Sequence, residues 1–175
     1  MRESLINMPT ISTQGIVRPT LVEINLSRLA ENYRAIQKKV FPAKVMPILK
    51  ANAYGHGLVE VARLMSKLGA NYIGVAMLEE GILLREAGIK TPILVLGGIL
   101  GNQIPHFIKY NLTICASSIE KIQQVSQIAS QVGREAKVHL KIDTGMERVG
   151  VHDYSAESLL ETAVECEHLD VEGIY

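Results

Sequence analysis

The sequence predicts an α/β fold built on a parallel β-sheet. Short runs rich in Val, Ile and Leu alternate with longer amphipathic segments through most of the 175 residues. These runs are apolar on both faces, which is typical of parallel strands covered by helices. Because right-handed crossover helices join neighbouring parallel strands, we expect strand and helix to alternate along the chain.

The composition excludes several classes of protein. Eighteen basic and 18 acidic side chains give a formal net charge of zero, and 47% of the residues are hydrophobic. A globular domain fits these figures, whereas a nucleic-acid-binding protein usually has a basic excess. No apolar run reaches the roughly 20 residues of a membrane-spanning helix, and residues 1–18 lack the features of a signal peptide. With two cysteines, Cys115 and Cys166, we expect a cytoplasmic protein without membrane or nucleic-acid partners.

The strands follow a leader that has no apolar periodicity. Residues 1–19 contain Pro9, Gly15 and Pro19, and we predict that they form a flexible leader before a domain of residues 20–175. The predicted strands are Thr20–Asn25, Val45–Leu49, Tyr72–Ala76, Ile93–Leu96, Leu112–Cys115, Val138–Ile142 and Val171–Tyr175.

Helical spacing of apolar residues predicts five helices between these strands. Ser27 is the predicted N-cap of the first helix, and Ser117 with Glu120 forms a predicted capping box. Gly69 and Gly133 suit left-handed C-caps. The predicted helices run from Ser27 to Val40, Leu58 to Leu68, Glu79 to Ala87, Ser117 to Val132 and Ser155 to Glu167.

Residues after the strand ends favour a closed barrel over an open, doubly wound sheet. Lys50, Gly97–Gly98 and Asp143–Arg148 each follow a predicted strand. In a barrel the loops at the carboxyl ends of the strands surround one mouth and build the site. About six barrel strands are visible, whereas a (β/α)8 TIM-type barrel needs eight. Since the chain stops inside an apolar run at Tyr175, we expect an incomplete barrel.

The segment Lys50–Gly57 (KANAYGHG) is the first candidate for chemistry. A lysine at the carboxyl end of a buried strand points into the barrel mouth, where desolvation frees its amine to form a Schiff base. Tyr54 offers a hydroxyl to an anion, and Gly55 and Gly57 permit close approach of the backbone to a ligand. From spacing alone, a solvated lysine followed by a glycine turn stays an open alternative.

The segment Lys141–Gly150 (KIDTGMERVG) is the second candidate. Lys141 and Asp143 share one face of the strand end. Inside a barrel they would require pairing or an anionic ligand, whereas outside an open sheet they would meet water. Glu79–Glu80 and Lys38–Lys39 are interpreted as solvated helix faces. The histidines show no metal-ligand spacing, so no metal site is predicted.

These motifs resemble those of the alanine racemases. KANAYGHG is similar to the pyridoxal-phosphate attachment motif of that family, and KIDTGMERVG is similar to its second signature. The resemblance continues through residues 19–32, 79–98 and 171–175. It implies a pyridoxal 5'-phosphate barrel followed by a β-rich C-terminal domain, which is absent here, and a homodimer whose active sites draw on both subunits.

The resemblance also implies roles for single residues. Lys50 matches the lysine that holds the cofactor and moves the α-proton on one face of the substrate. Tyr54 matches the tyrosine that binds the cofactor phosphate, and Leu96 matches an apolar residue of the cofactor pocket. Arg148 matches the arginine near the cofactor's phenolic oxygen and the substrate. Lys141 matches a lysine that is often carbamylated to position that arginine.

The implied activity is interconversion of L-alanine and D-alanine, which supplies D-alanine for peptidoglycan. The resemblance places the opposite-face tyrosine on the other subunit's C-terminal domain, so we expect the chain alone to be inactive. Two alternatives are a non-catalytic pyridoxal-phosphate carrier and a racemase of another amino acid such as serine.

Overall fold

A computed structural model describes residues 22–175. Helices and strands alternate along it, as the sequence predicts. The helices are α1 (Leu26–Val40), α2 (Lys50–Tyr54), α3 (Leu58–Lys67), α4 (Leu78–Glu86), α5 (Ile104–Lys109), α6 (Ile119–Val132) and α7 (Ala156–Glu165). The strands are β1 (Ile73–Val75), β2 (Ile93–Val95), β3 (Thr113–Ala116), β4 (Ala136–Leu140), β5 (Ile142–Asp143), β6 (Val151–His152) and β7 (Leu169–Ile174).

The main sheet is parallel throughout and follows the order of the chain. Its five strands lie in the order β1-β2-β3-β4-β7, while β5 and β6 form a separate parallel pair. A further segment, residues 47–49, joins β1 through a parallel bridge between Ile48 and Gly74. A doubly wound sheet reverses its strand order at a switch point, and no reversal occurs here. The unbroken order is therefore that of a barrel wall with six strand positions.

The two faces of the sheet have different partners. One face packs on the helices, and its strand residues share a continuous apolar core with α3 to α7. The strand residues of that core are Ile73, Val75, Ile93, Val95, Ile114, Ala116, Ala136, Val138 and Leu140. Since side chains alternate along a strand, Leu94, Thr113 and Cys115 lie on the opposite, inner face, where each is at most 1% exposed. Strands β1, β2 and β3 are therefore buried on both faces, as predicted, whereas β4 contains partly exposed residues and β7, at the edge of the sheet, is largely exposed.

Several predicted boundaries are wrong at the start of the chain. The predicted leader and the first two residues of the predicted strand Thr20–Asn25 lie outside the described residues, and residues 22–25 are not in a strand. The N-cap of α1 is Asn25, whose Oδ1 accepts from the Arg28 N–H at 3.0 Å, and not Ser27. Within predicted strand 45–49, Ile48 alone forms a bridge, because Pro47 has no N–H to donate.

Two later predictions also differ from the structure. Ser118, and not Ser117, caps α6 by accepting from the Lys121 N–H at 3.2 Å. Helix α5 was not predicted, since its six residues are too few to show helical periodicity. Among residues 22–175, no helix combines the length and the apolar character needed to cross a bilayer.

Arg85 of α4 ties together the loops that enter β2 and β3. Its half-buried guanidinium donates to four backbone carbonyls. Nη1 donates to Ile89 O at 2.7 Å and to Thr91 O at 2.8 Å, while Nε and Nη2 donate to Tyr110 O and Asn111 O at 3.0 Å each. A planar fork can serve four separate acceptors at once, which a single ammonium cannot.

We predict that Arg85→Lys lowers the free energy of unfolding by about 2 kcal/mol, because buried carbonyls lose charge-assisted donors. Urea denaturation followed by circular dichroism measures the change. Arg63→Lys is the matched control, since Arg63 is exposed and pairs with Glu60 across one helical turn at 2.7 Å. We expect a loss below about 0.5 kcal/mol there. Equal losses in the two variants would contradict this role of Arg85.

Candidate active site

Lys50 begins a left-handed helical turn at the carboxyl end of the bridge segment. Ala51, Asn52, Ala53 and Tyr54 all have φ between 53° and 56°. For residues with a Cβ this conformation costs about 1 to 2 kcal/mol each, so surrounding contacts must hold it in place. The turn redirects the chain directly after Lys50, and Gly55 ends it with φ 84°.

Glu80 of α4 holds this turn against the end of β1. Its Oε1 accepts from the Ala51 N–H at 2.7 Å, and its Oε2 accepts from the Ala76 N–H at 2.8 Å and the Met77 N–H at 3.2 Å. One carboxylate thus joins two strand ends. The interpretation of Glu80 as part of a solvated face is wrong, and its position as the third residue of α4, where acidic residues commonly bond back to the cap, is the signal that could have identified it.

Asn52 links the same turn to the next helix. Its Oδ1 accepts from the Leu58 N–H at 2.8 Å and so satisfies the first turn of α3. His56 Nδ1 lies 2.9 Å from Ala53 O, within the same segment. The side chains of Asn52 and His56 therefore stabilise the backbone of this motif, a role that no local pattern in the sequence indicates.

Lys50 and Tyr54 lie together on this turn. Lys50 Nζ is 5.9 Å from the centre of the Tyr54 ring, and the Tyr54 side chain is 61% exposed. Within residues 22–175, no carboxylate lies within 4 Å of Lys50 Nζ. Both the amine and the phenol are thus available to a ligand.

Leu96 lies beside the bridge segment on the inner face. Its N–H donates to Val75 O at 2.8 Å, which continues the ladder beyond β2. A Cβ added to Gly74 would lie 3.4 Å from Leu96 Cδ1 and 2.5 Å from Ile48 Cδ1, so both side chains close over this glycine. The structure thus places Leu96 next to the segment that ends at Lys50.

Lys141 follows β4 at the same edge of the sheet. Its N–H donates to Ala116 O at 2.9 Å, and its Nζ donates to Ile142 O at 3.1 Å. The Nζ also lies 5.1 Å from the centre of the Tyr175 ring. The Tyr175 hydroxyl donates to the Sγ of buried Cys115 at 2.9 Å. No local motif in the sequence indicates Tyr175 as a neighbour of Lys141, because the two residues are far apart in the chain.

Asp143 organises the loop that carries Arg148. Its Oδ1 accepts from the Gly145 N–H at 2.9 Å and the Glu147 N–H at 3.0 Å, while its Oδ2 accepts from the Arg148 N–H at 3.0 Å. These backbone N–H donors hold the pKa of the Asp143 carboxyl well below its usual range. Backbone N–H groups of the loop thus satisfy its charge, whereas the sequence predicted pairing or an anionic ligand for a buried Lys141 and Asp143. The Arg148 side chain is exposed.

The two clusters share one edge of the sheet but make no direct polar contact. Lys50, Leu96 and Lys141 each follow a strand position of the same parallel wall. Among the described residues, no hydrogen bond or ion pair joins the segment 50–57 to the segment 141–150. In the same part of the chain, no group of three or more His, Cys, Asp and Glu side chains could hold a metal ion.

Comparison with known proteins identifies the family. An alanine racemase 2 of Caldanaerobacter subterraneus subsp. tengcongensis is 40% identical over 161 residues, which cover 91% of this chain and 42% of that enzyme. The structure of an alanine racemase of Clostridium difficile 630 matches with a TM-score of 0.84 and 40% identity, over 91% of this chain and 42% of that one.

A histidine racemase of Leuconostoc mesenteroides subsp. sake is also similar. Its structure matches with a TM-score of 0.77 and 31% identity, over 82% of this chain and 39% of that one. The chain thus spans about two fifths of the length of the relatives that it matches.

The family profile described as "Alanine racemase, N-terminal domain" matches residues 24–175. The prediction of a TIM-type barrel is therefore confirmed, and this chain forms part of that barrel. Together with the relatives above, this match shows that the chain belongs to the alanine racemase family.

Proposed function

We propose that this chain is the pyridoxal-phosphate-binding part of an alanine racemase. The observation that carries the proposal is the placement of Lys50. Lys50 directly follows the bridge segment of the barrel wall, and its amine has no carboxylate neighbour among the described residues. Glu80 holds the strained backbone that follows Lys50. Strained backbone concentrates at functional sites, where the strain holds a side chain in one orientation.

The donor groups fit this cofactor. A primary amine, a phenol and a guanidinium, on Lys50, Tyr54 and Arg148, match the aldehyde and the anionic oxygens of pyridoxal phosphate. Lys50 Nζ would hold the cofactor through its aldehyde, Tyr54 would donate a hydrogen bond from its hydroxyl to the phosphate, and Arg148 would donate to the phenolic oxygen. Leu96 would cover an apolar face.

The chemistry divides between cofactor and chain. When bound, the cofactor delocalises the electrons left behind when an amino acid loses its α-proton. Lys50 Nζ then takes and returns that proton on one face. Inversion needs a second acid on the opposite face, and the resemblance assigns it to a tyrosine of the partner subunit. Arg148 would also bind the substrate.

Lys141 is proposed to act through Arg148 after carbamylation. The Lys141 ammonium first loses one proton. The neutral Nζ then attacks the carbon of carbon dioxide, so that an N–C bond forms as one C=O π bond breaks, and loss of a second proton from nitrogen completes the change from a cation to an anion. The product carbamate accepts hydrogen bonds from the Arg148 guanidinium, which replaces repulsion between two cations by a charge-assisted pair. Lys141 is thus a positioning residue in this proposal.

The finer features of the whole enzyme belong to the same proposal. In this proposal residues 20–175 form the barrel part. The whole enzyme is a homodimer in the cytoplasm, and its D-alanine is supplied for peptidoglycan. The likeness to a histidine racemase favours one alternative, a racemase of another amino acid such as serine or histidine. A cofactor carrier is the other alternative, and it would bind pyridoxal phosphate without exchanging an α-proton.

We predict that borohydride treatment of the 175-residue chain with pyridoxal phosphate fixes the cofactor to Lys50, because no carboxylate among residues 22–175 pairs with its amine. Peptide mass spectrometry locates the label. Lys50→Arg should remove it, whereas Lys44→Arg, at an exposed lysine six residues earlier, should not. In D2O the loaded chain should exchange the α-proton of alanine. Labelling elsewhere would refute the site, and labelling without exchange would favour the carrier.

We predict that ¹³C-labelled bicarbonate gives a carbamate signal in the NMR spectrum, and that Lys141→Ala removes it. Lys38→Ala, on an exposed helix face, is the control. In the complete enzyme Lys141→Ala should slow racemisation, and acetate should partly restore it, because a free carboxylate can replace the carbamate beside Arg148. A rate indifferent to both acetate and bicarbonate would exclude carbamylation.

We predict that Asp143→Asn lowers the melting temperature at pH 7, because the amide nitrogen cannot accept from the Arg148 N–H. Since the folded pKa of Asp143 is depressed, its stabilisation is present above its unfolded pKa, about 3.9, and is lost as the pH falls further. The difference between wild type and variant should therefore shrink at low pH. Asp153→Asn, at an exposed acid, should change little. A pH-independent difference would argue against the ionised carboxylate.

A further inference from the structure

Strand β7 contains one extra residue opposite β4. Val138 pairs with Val171, but the next residue, His139, pairs with Gly173. Glu172 is therefore the residue left over in a β-bulge. Bulges redirect side chains, because the alternation of faces shifts by one position beyond them.

The Glu172 carboxylate is bound by groups from three other parts of the inner face. Its Oε2 accepts from the Tyr72 hydroxyl at 2.6 Å and from the Thr113 hydroxyl at 2.9 Å, and its Oε1 accepts from Lys137 Nζ at 2.5 Å. Tyr72 and Thr113 also bond each other. This carboxylate therefore connects β7 to residues at or near the amino ends of β1, β3 and β4.

Beyond the bulge, Tyr175 lies opposite Lys141. The Tyr175 N–H donates to Leu140 O at 3.0 Å, and the Ile142 N–H donates to Tyr175 O at 2.9 Å, so these two bonds bracket Lys141. This register places the Tyr175 ring below Lys141 Nζ and its hydroxyl on Cys115. Without the bulge, Ile174 would lie opposite Lys141 and Tyr175 would turn to the helix face, since a slip of one residue exchanges the faces.

Gly173, the residue after the bulge, leaves space for the ring of His139 on the neighbouring strand. A Cβ added at this position would lie 2.9 Å from His139 Cε1. The His139 ring packs against Tyr72, with ring centres 5.3 Å apart, and against Tyr175, at 6.2 Å. A side chain paired with His139 would therefore displace this ring, whereas Gly173 leaves the ring in place.

We propose that Glu172 is a positioning residue, whose bonds to Tyr72, Thr113 and Lys137 hold the bulge that directs Tyr175 inward beneath Lys141. Its importance for catalysis rests on the proposed function, because Lys141 is a site residue in that proposal. The placement of Tyr175 itself does not depend on any bound cofactor.

Cys115 reports this placement in the 175-residue chain. It is 1% exposed beneath the Tyr175 hydroxyl, while Cys166 is partly exposed and serves as an internal reference. We predict that Glu172→Leu raises the rate of thiol labelling at Cys115 about tenfold or more relative to Cys166, because β7 slips into the regular register and removes Tyr175. Glu172→Gln, which keeps one acceptor oxygen, should give a smaller increase.

Deletion of Glu172 shows whether Cys115 is exposed by a change in the register of β7 or by a general loss of stability. The deletion removes the carboxylate and its ion pair with Lys137, as Glu172→Leu does, but it places Gly173 opposite His139 and Tyr175 opposite Lys141 in a regular ladder. We therefore expect Cys115 to be protected again. Asp170→Asn, on the same strand and 3.9 Å from Lys137 Nζ, is the control and should label like wild type.

Two results would overturn the inference. One is a folded Glu172→Leu chain, by circular dichroism, in which Cys115 labels as slowly as in wild type. The other is a deletion that exposes Cys115 as much as the leucine does, which would show general loosening. If Glu172→Leu does not fold, the glutamine and deletion variants decide. Failure of borohydride labelling at Lys50 would remove the proposed function and leave these results unaffected.

Discussion

Strands β1 to β3 are buried on both faces, and the strands of the main sheet pair in parallel in the order of the chain. One face is covered by the helices, so the other must be filled by side chains from the strands themselves. The carboxyl ends of all strands then meet at one edge. Lys50, Leu96 and Lys141 come together at that edge for this reason, although nearly a hundred residues separate the first from the last.

The polar side chains on the inner face are bonded differently at the two ends of the strands. Near the amino ends, Glu172 is fully bonded, and although burial raises its pKa, the bonds from Lys137, Tyr72 and Thr113 outweigh burial and lower it. Burial lowers the pKa of His139, which favours the neutral ring between its two tyrosine neighbours, and its buried Nε2 has no hydrogen-bond partner among the described residues. At the carboxyl ends, by contrast, the candidate groups are amines, a phenol and a guanidinium with few protein acceptors. Such an excess of donors suits an anionic ligand.

The strained backbone after Lys50 is held in place by a side chain of another element. Four successive non-glycine residues with positive φ raise the free energy of the folded backbone. One carboxylate, that of Glu80, accepts hydrogen bonds from both this turn and the end of β1. The bulge at Glu172 follows the same principle in the sheet, where an irregular backbone is held by a bonded carboxylate so that Tyr175 can face inward. In both places an acid from one element fixes the backbone beside a candidate site residue on another.

The sequence by itself determined the α/β class, five of the helices and the order of the strands, because apolar periodicity reflects burial directly. It also identified Lys50, Tyr54, Leu96, Lys141 and Arg148 as candidates through local motifs. The tertiary structure alone decided the left-handed turn, the function of Glu80, and the neighbours of Lys141. The bond between Glu80 and Ala51 joins residues 29 positions apart, the bond between Glu172 and Tyr72 joins residues 100 apart, and the bond between Tyr175 and Cys115 joins residues 60 apart. Local patterns carry no information about such contacts, since they form only when the sheet has closed around them.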